Sequence, residues 1–548
     1  MSRSFVPRKF QLDLPVDDLI KEELPSEEAV PMDVLFVGGG PAGLAGAIEL
    51  ARLVKRDGGL GHIEIGVLEK SEELGQHCLS GAVVNPVGFR ELFPELSDQD
   101  FPFRTPVKSE RVYLLTQGGS FRLPTPPTMQ NHGNYVGSIS EMVRWLGKKA
   151  EELGVNLFAG FPADALLLDK GRVVGVRTTP AGLTKEGTPS SSYVPPTDVA
   201  ARVTVLSEGT RGPLAQAYLA RNGIRSPNPQ IYAIGVKELW QVKKPLDAVI
   251  HTLGWPLPRS AFGGTFLYPM GPDLIAMGIV VGLDYQESSL DVHGLLQKMK
   301  THPLVRPHLE GGELLEWGAK TIPEGGFYSI PEKLHGHGLL VVGDAAGFVD
   351  VPSLKGIHYA MKSGILAARA IFDALKQDDT SESCLEGYDR EVRKSFIQDD
   401  LHRTRNMRLA FKSGFYVGGL KAALMSLTGG AAFGGRISVN EDAQEPKTMN
   451  SGESPKPDGK LTFTKLDGVF RSGNNTRDDM PSHLLVKEPL PDHVARFYAD
   501  MCPAGVYEQQ DGRLVVNFSN CVDCKAADVL GPRWKPREGG SGTKYRRM

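Results

Sequence analysis

Residues 33–43 read DVLFVGGGPAG, and the helical pattern LAGAIELARLV follows at once. Strand, glycine turn and helix in that order constrain the chain more than any other stretch. Gly38 permits the tight turn, Gly40 lets a pyrophosphate approach the backbone, and Gly43 allows close helix–strand packing. A second apolar run, residues 63–68, ends in Glu69, about where an acidic side chain meets a ribose hydroxyl in a dinucleotide fold. The turn alone does not separate NAD from FAD.

Two later segments do. VTVLSEG (203–209) is another strand ending in a small loop, followed by Thr210, Arg211 and Gly212. LLVVGDAAG (339–347) is a buried strand ending in Gly-Asp. Asp344 is placed to accept hydrogen bonds from a ribityl hydroxyl, and a helix starting beyond Gly356 directs its N-terminal dipole at an isoalloxazine oxygen. Three such pieces in series favour FAD. Between them, RVVGVR (172–177) and IAMGIVVGL (275–283) read as strands of a second, substrate-facing lobe. The expected class is α/β with α+β, a Rossmann-like FAD domain interleaved with a β-sheet lobe.

The 548 residues suffice for two to four domains. Lys+Arg 62 against Asp+Glu 65 gives no reason to expect nucleic acid as a partner. Five cysteines are no disulfide framework, and three of them, Cys502, Cys521 and Cys524, crowd the C-terminal region. That clustering points to metal in a reducing compartment. MSRSFVPRKFQLDLP has no apolar h-region, so neither a secretory signal nor a transit peptide is expected. No uncharged apolar run approaches the roughly 20 residues that span a bilayer. The nearest, SGFYVGGLKAALMSLTGGAAFGG (413–435), is interrupted by Lys421 and flanked by Arg403, Arg405, Arg408, Lys412 and Arg436. It suits either a helix lying in a membrane interface or a buried glycine-rich hairpin. Residues 438–460 are polar, aperiodic and rich in Pro, Gly and Ser, and read as a linker.

From about Met32 to the end the sequence resembles the electron transfer flavoprotein–ubiquinone oxidoreductase family. The stretches that carry the resemblance include LSGAVVNP (79–86), NHGNYVGSISEMVRWLG (131–147), HTLGWPL (251–257), GGTFLYP (263–269), VPSLKGIHYAMKSG (351–364), MPSHLLV (480–486) and CPAGVYE (502–508). The resemblance implies a three-layer FAD domain interleaved with a quinone-binding lobe over 32–400. It further implies a membrane-contacting helical segment at 401–437 and a ferredoxin-like iron–sulfur domain at 461–548, with 1–31 an N-terminal extension. It implies FAD on Gly38, Gly40, Gly43, Glu69, Leu79, Ser80, Gly81, Asp344 and Gly356, and quinone contact at Gly263 and Gly264. The two glycines alternatively mark a bulge or tight turn. His132, His251 and His358 serve as structural hydrogen-bonders or proton relays. The implied activity passes electrons from reduced electron transfer flavoprotein to ubiquinone or menaquinone through FAD and a [4Fe–4S] cluster. The implied membrane contact is peripheral, at Phe415–Arg436 and at Phe89–Glu110, with Leu92, Phe93, Phe101 and Phe103 as its apolar contacts. The cytoplasmic face of a bacterial inner membrane is the expected location. A rival activity is a FAD-dependent reductase or hydroxylase of an isoprenoid lipid.

The sequence departs from this family where the cluster binds. The family pattern takes one Cys from CPAGVYE and three from a C-x-x-C-x-x-C run; here NCVDCKAAD supplies Cys521 and Cys524, then Ala527. Cys78 and Cys384 lie in the flavin half. Three outcomes stay open: a cluster with a non-cysteine or exogenous fourth ligand, Asp523 and Asp528 being nearest; a three-thiolate [3Fe–4S] or labile centre; or a vestigial site. The terminal EGGSGTKYRRM reads as solvated basic tail, or as a contact for acidic lipid or an acidic partner.

Overall fold

The computed structural model describes residues 4–81, 83–450 and 456–548. Residues 1–3 of the N-terminal extension, Ala82 of LSGAVVNP and residues 451–455 of the linker lie outside the described residues.

The apolar run before the glycine turn forms the strand Val30–Val37, whose last four residues are buried on both faces, as a central parallel strand requires. It pairs in parallel with Ile65–Glu69 on one side and with Asp198–Leu206 on the other. Leu339–Val341 continues the parallel set beside Leu206, so all three sequence pieces meet at one sheet end. The helix Pro41–Asp57 packs against Ile357–Lys376, and the two approach so closely that a Cβ on Gly364 would lie 2.1 Å from the Ala42 carbonyl oxygen.

A second sheet of seven strands is almost wholly antiparallel, in the order 313–323, 232–241, 274–282, 263–269, 249–254, 110–115, 120–123. Leu274–Gly282 lies near its middle, in line with the sequence reading. Arg172–Thr178 does not belong to it: that strand pairs with Asp198–Leu206 and Ala163–Asp169 in the flavin-side sheet. Alternation along a strand fixes which face is buried, but not which sheet supplies the partner.

The core of the C-terminal region is continuous with that of the seven-stranded sheet. Phe497, Met501, Val522 and Leu530 share one buried cluster with Trp317 and Ile279 of the seven-stranded sheet. The segments read as extension and linker are also tied in. Ser4–Phe5 pairs with Lys447–Thr448, and Gln11 Nε2 donates to the Asp528 carbonyl at 2.9 Å. The basic tail is packed rather than solvated. Met548 is fully buried with its carbonyl oxygen accepting from Ser138, and Lys544 and Arg547 pair with Glu72 and Glu316.

The membrane reading of Phe89–Glu110 is overturned. Leu92, Phe93 and Phe101 are buried, and the three phenylalanines Phe89, Phe93 and Phe101 pack with Trp145 in an aromatic cluster. Phe103 stacks on Tyr135. The helix Phe415–Leu427 is the opposite case. Among its residues only Gly418 and Met425 are buried, while Tyr416, Val417, Leu420, Leu424 and Leu427 are exposed. The short turn Pro127–Met129 packs against it. Among the described residues, no helix is long and apolar enough to cross a membrane.

Candidate functional site

One cavity of about 1250 Å³ runs from the glycine turn to the apolar helix. It exceeds the roughly 300–1,000 Å³ of ordinary small-ligand pockets. At one end stand Gly38, Gly40, Glu69, Leu79, Ser80, Gly81, Asp344 and Gly356, every FAD candidate except Gly43. Gly38 has φ +113°, and a Cβ there would meet the Ser207 carbonyl oxygen at 2.4 Å. Gly43 faces the strand instead: its Cβ would lie 2.2 Å from the Gly38 carbonyl oxygen. Gly40 has nothing within 4 Å, so its backbone is open to a ligand. The Glu69 carboxylate is pinned by Gly39 N–H at 3.0 Å and Ser71 N–H at 2.9 Å. Burial pushes the Asp344 carboxyl up to about 6, partly countered by Thr210. Ser80 Oγ is buried without a partner. This glycine cradle, orphan hydroxyl and uncapped helix N-terminus at Gly356 suit a dinucleotide with a polyhydroxyl chain.

The cavity then runs across the seven-stranded sheet in two registered rows. One places Gly318, Lys237, Gly278, Phe266 and His251 side by side. The next places Gly235, Val280 and Gly264 in line, and these three, with Leu253 of the following strand, line the cavity. Gly235 and Gly264 contribute no side chain to that stretch of the wall. Gly263, at φ +153°, and Gly264 both line it, yet neither has room for a side chain: a Cβ would meet the Val280 and Thr252 carbonyl oxygens at 2.1 and 2.7 Å. Close strand packing alone therefore accounts for both glycines. The far end is walled by Phe411, Phe415, Tyr416, Ala422 and Leu427 and opens at the exposed apolar helix.

Sequence reasoning missed Lys237. It is buried, its ammonium has no hydrogen-bond partner, and it lines the cavity. Burial drives its pKa down to about 7 against the pull of Glu316. Only a register argument exposes it, since IGVKELWQV reads as an ordinary strand whose polar residues, Lys237, Glu238 and Gln241, carry no mark of a site. Of the three histidines, His251 lines the cavity and burial lowers it to about 3. His358 is buried beside Tyr359 and Phe396, away from the cavity lining, and His132 is exposed.

A second, small cavity of about 20 Å³ is lined by Cys502, Cys521, Cys524 and Ala527 together. The CPAGVYE turn and the NCVDCKAAD loop thus meet although Cys502 and Cys521 are 19 positions apart in the sequence. The donor chemistry suits a sulfur-bridged iron centre. Each thiol faces a backbone N–H: Val506 and Ala504 for Cys502, Asp523 for Cys521, Ala526 for Cys524. Tyr507 lines the cavity with its buried hydroxyl unpartnered. Burial raises all three thiol pKa values, Cys524 to about 12, so only a bound cation makes them thiolates at neutral pH.

Neither nearby carboxylate is free to be a fourth ligand. Asp523 accepts from Lys70 at 2.7 Å, Arg537 at 3.1 Å and Trp534 Nε1 at 3.1 Å. Burial would raise its pKa, but these cations with His77 and His483 hold it well below the usual carboxylate range. Asp528 pairs with Arg211 and accepts from Trp534 N–H at 3.1 Å. Cys78 lines the large cavity and Cys384 sits on the short helix Glu382–Leu385, so neither reaches the cage. Trp534 and Lys525 line both cavities and form the wall between them; Lys70 and Lys525 lie 5.0 and 4.3 Å from the indole ring.

Two family models match the chain: "ETF-QO, ubiquinone-binding" over residues 232–322, and "Electron transfer flavoprotein-ubiquinone oxidoreductase, 4Fe-4S" over 459–546. The first covers much of the seven-stranded sheet, the second the cysteine cavity. The mitochondrial electron transfer flavoprotein-ubiquinone oxidoreductase of Oryza sativa is 40% identical over 94% of this chain and 93% of its own length. The human protein of that name is 37% identical over 95% and 90%. Among solved structures, a geranylgeranyl bacteriochlorophyll reductase-like protein from Thermoplasma acidophilum superposes with TM-score 0.57 at 19% identity, covering 76% of this chain and 95% of that one. That likeness shows the fold alone.

Proposed function

The chain belongs to the electron transfer flavoprotein–ubiquinone oxidoreductase family, and on that premise we propose that it oxidises reduced electron transfer flavoprotein and reduces a membrane quinone, ubiquinone or menaquinone. The observation that carries this reading is the continuous cavity, polar and glycine-lined at the dinucleotide end, free of side chains at Gly235 and Gly264 across the sheet, and open at an exposed apolar helix. Gly38, Gly40, Glu69, Leu79, Ser80, Gly81, Asp344 and Gly356 would hold FAD, with Gly43 packing the helix behind them. Cys502, Cys521 and Cys524 would hold an iron–sulfur cluster. Bound FAD supplies two-electron reduction of quinone from electrons accepted singly, and the cluster supplies one-electron exchange with the donor.

The protein's own residues position and protect these groups. The row of Gly235, Val280 and Gly264, with Leu253, admits a planar ring without a clash. Lys237, on the adjoining row, offers an ammonium to the oxygen that gains charge as the quinone is reduced. Tyr416, Leu420, Leu424 and Leu427 bring the cavity mouth to the lipid, where a prenyl tail stays. Placement on the cytoplasmic face of a bacterial inner membrane belongs to the same proposal, and protease accessibility in spheroplasts against inverted vesicles tests it.

Anaerobic mixing with reduced electron transfer flavoprotein and a short-chain quinone tests the activity. Quinol formation supports the reading; its absence, together with turnover of a prenyl lipid, sinks it in favour of the isoprenoid reductase. The fold likeness to a geranylgeranyl reductase-like protein lends that rival nothing at 19% identity.

A further inference from the structure

The cysteine cavity is a cage with one corner missing, and the missing corner is the one that is not fully buried. Thirteen of the residues lining it are buried; Ala527 alone is half-exposed. Ala527 stands three residues beyond Cys524, where the run would place its next thiolate. The carboxylates of Asp523 and Asp528 are held by Lys70, Arg537 and Arg211. His483 has both ring nitrogens without a hydrogen bond and lies close to both Cys521 and Asp523, but it does not line the cavity. Lys525 lines the cavity but donates to the Arg211 carbonyl oxygen at 2.9 Å.

We infer that the iron at the Ala527 corner has no protein ligand, is held by an exogenous oxygen or sulfur donor from solvent, and is exchangeable. This rests on the iron–sulfur reading of the cavity given above. The chemistry that follows balances. A one-electron oxidant such as ferricyanide takes one electron from [4Fe–4S]²⁺ and becomes ferrocyanide. The resulting 3+ centre releases the corner iron as Fe²⁺ and leaves [3Fe–4S]⁺ on Cys502, Cys521 and Cys524. Three thiolates suffice for that product, and thiolate is the ligand that retains iron best in such a site. The neighbouring Tyr507 hydroxyl and the backbone N–H groups facing the thiols do not depend on the missing corner, so the remaining three-iron unit keeps its contacts.

The test uses the full-length protein reconstituted anaerobically with iron and sulfide, beside Ala527→Cys. Iron and sulfide analysis comes first, then ferricyanide with low-temperature EPR and measurement of released Fe²⁺. The expected result is release of one iron per cluster from the natural protein, with the signal of [3Fe–4S]⁺. The A527C variant keeps its iron and shows no [3Fe–4S]⁺ signal. Added β-mercaptoethanol slows iron loss from the natural protein and leaves the variant unchanged. Should A527C fail to fold, iron-57 exchange into the natural protein decides: Mössbauer label at a single site supports the inference, label at none or at all sites overturns it. Retention of all iron by the natural protein overturns it too, and means that a protein donor such as His483 fills the corner. A cluster that forms only in A527C also overturns it. If neither protein binds iron and sulfide, the iron–sulfur reading itself falls, while quinol formation can still be scored separately.

Discussion

The ammonium of Lys70 lies 2.7 Å from the carboxylate of Asp523, which joins the end of a flavin-sheet strand to the loop between Cys521 and Cys524. Lys70 lines the large cavity and Asp523 is buried behind the small one. Asp523→Asn leaves Lys70 and the buried Arg537 without their counter-charge. Breaking a buried pair from one side costs about 3–5 kcal/mol. Denaturant unfolding of D523N is expected to show a loss of that order. A loss under about 1 kcal/mol would mean the pair does not tie the two regions together.

Gly40 and Gly43 separate binding from folding. Gly40 has open space where a Cβ would go, whereas Gly43 meets the Gly38 carbonyl oxygen at 2.2 Å. Gly40→Ala is expected to unfold within about 0.5 kcal/mol of the natural protein yet retain less flavin on gel filtration. Gly43→Ala is expected to lose stability outright, by about 1–3 kcal/mol, from overpacking. Equal stability of the two variants would refute this division.

Lys237 is expected to trade stability for activity. Its ammonium is buried and unpartnered, with a pKa near 7 against the ordinary 10.5. Between those values the unfolded chain holds a proton that the folded one releases, so the cost is full below pH 7 and fades as pH rises toward 10.5. Lys237→Met should stabilise the apoprotein by on the order of 2 kcal/mol at pH 7, less at pH 9, while quinone reduction falls about tenfold or more. A variant that gains stability and keeps full activity would remove Lys237 from the site.

His251 gives an acid limb. Burial lowers its pKa from 6.5 to about 3, so the folded protein refuses a proton that the unfolded chain accepts below pH 6.5. Stability is lost as pH falls from 6.5, at up to about 1.4 kcal/mol per pH unit for each such group. Thermal unfolding of His251→Leu between pH 7 and 4.5 should show a shallower decline. An unchanged slope would place the acid sensitivity elsewhere.

The exposed helix should govern membrane contact. Leu420 and Leu424 are 70% and 45% exposed, one turn apart on Phe415–Leu427. Leu420→Asp with Leu424→Asp is expected to move the protein from sedimenting with liposomes to the supernatant, with reduction of a water-soluble quinone retained. Continued sedimentation of the double variant would point to another contact surface.

The local pieces were legible because each obeys a short-range rule. A strand, a glycine that tolerates φ +113° and a helix at its end can be read from eleven letters, and Asp344 and Gly356 follow the same logic. The three cysteines and the alanine were legible as a spaced pattern. Long-range partnership was not. Phe93 and Phe101 read as lipid contacts because aromatic residues suit both bilayer and core, and only Trp145 packed against them tells which. RVVGVR went to the wrong sheet because a strand carries no mark of its neighbour. Lys237 became a site residue only when Gly278 and Gly318 stood on either side of it.

What the sequence determined by itself is the chemistry available: a dinucleotide cradle, an apolar glycine-rich segment, and three thiols with an alanine where a fourth would stand. The tertiary structure alone decided how these parts meet. It closed the cage from two distant loops, committed Asp523 and Asp528 to lysine and arginine, and left Ala527 as the one lining residue not fully buried. Those outcomes depend on which charges and surfaces the fold buries together, and burial is a property of the packed chain, not of any stretch within it.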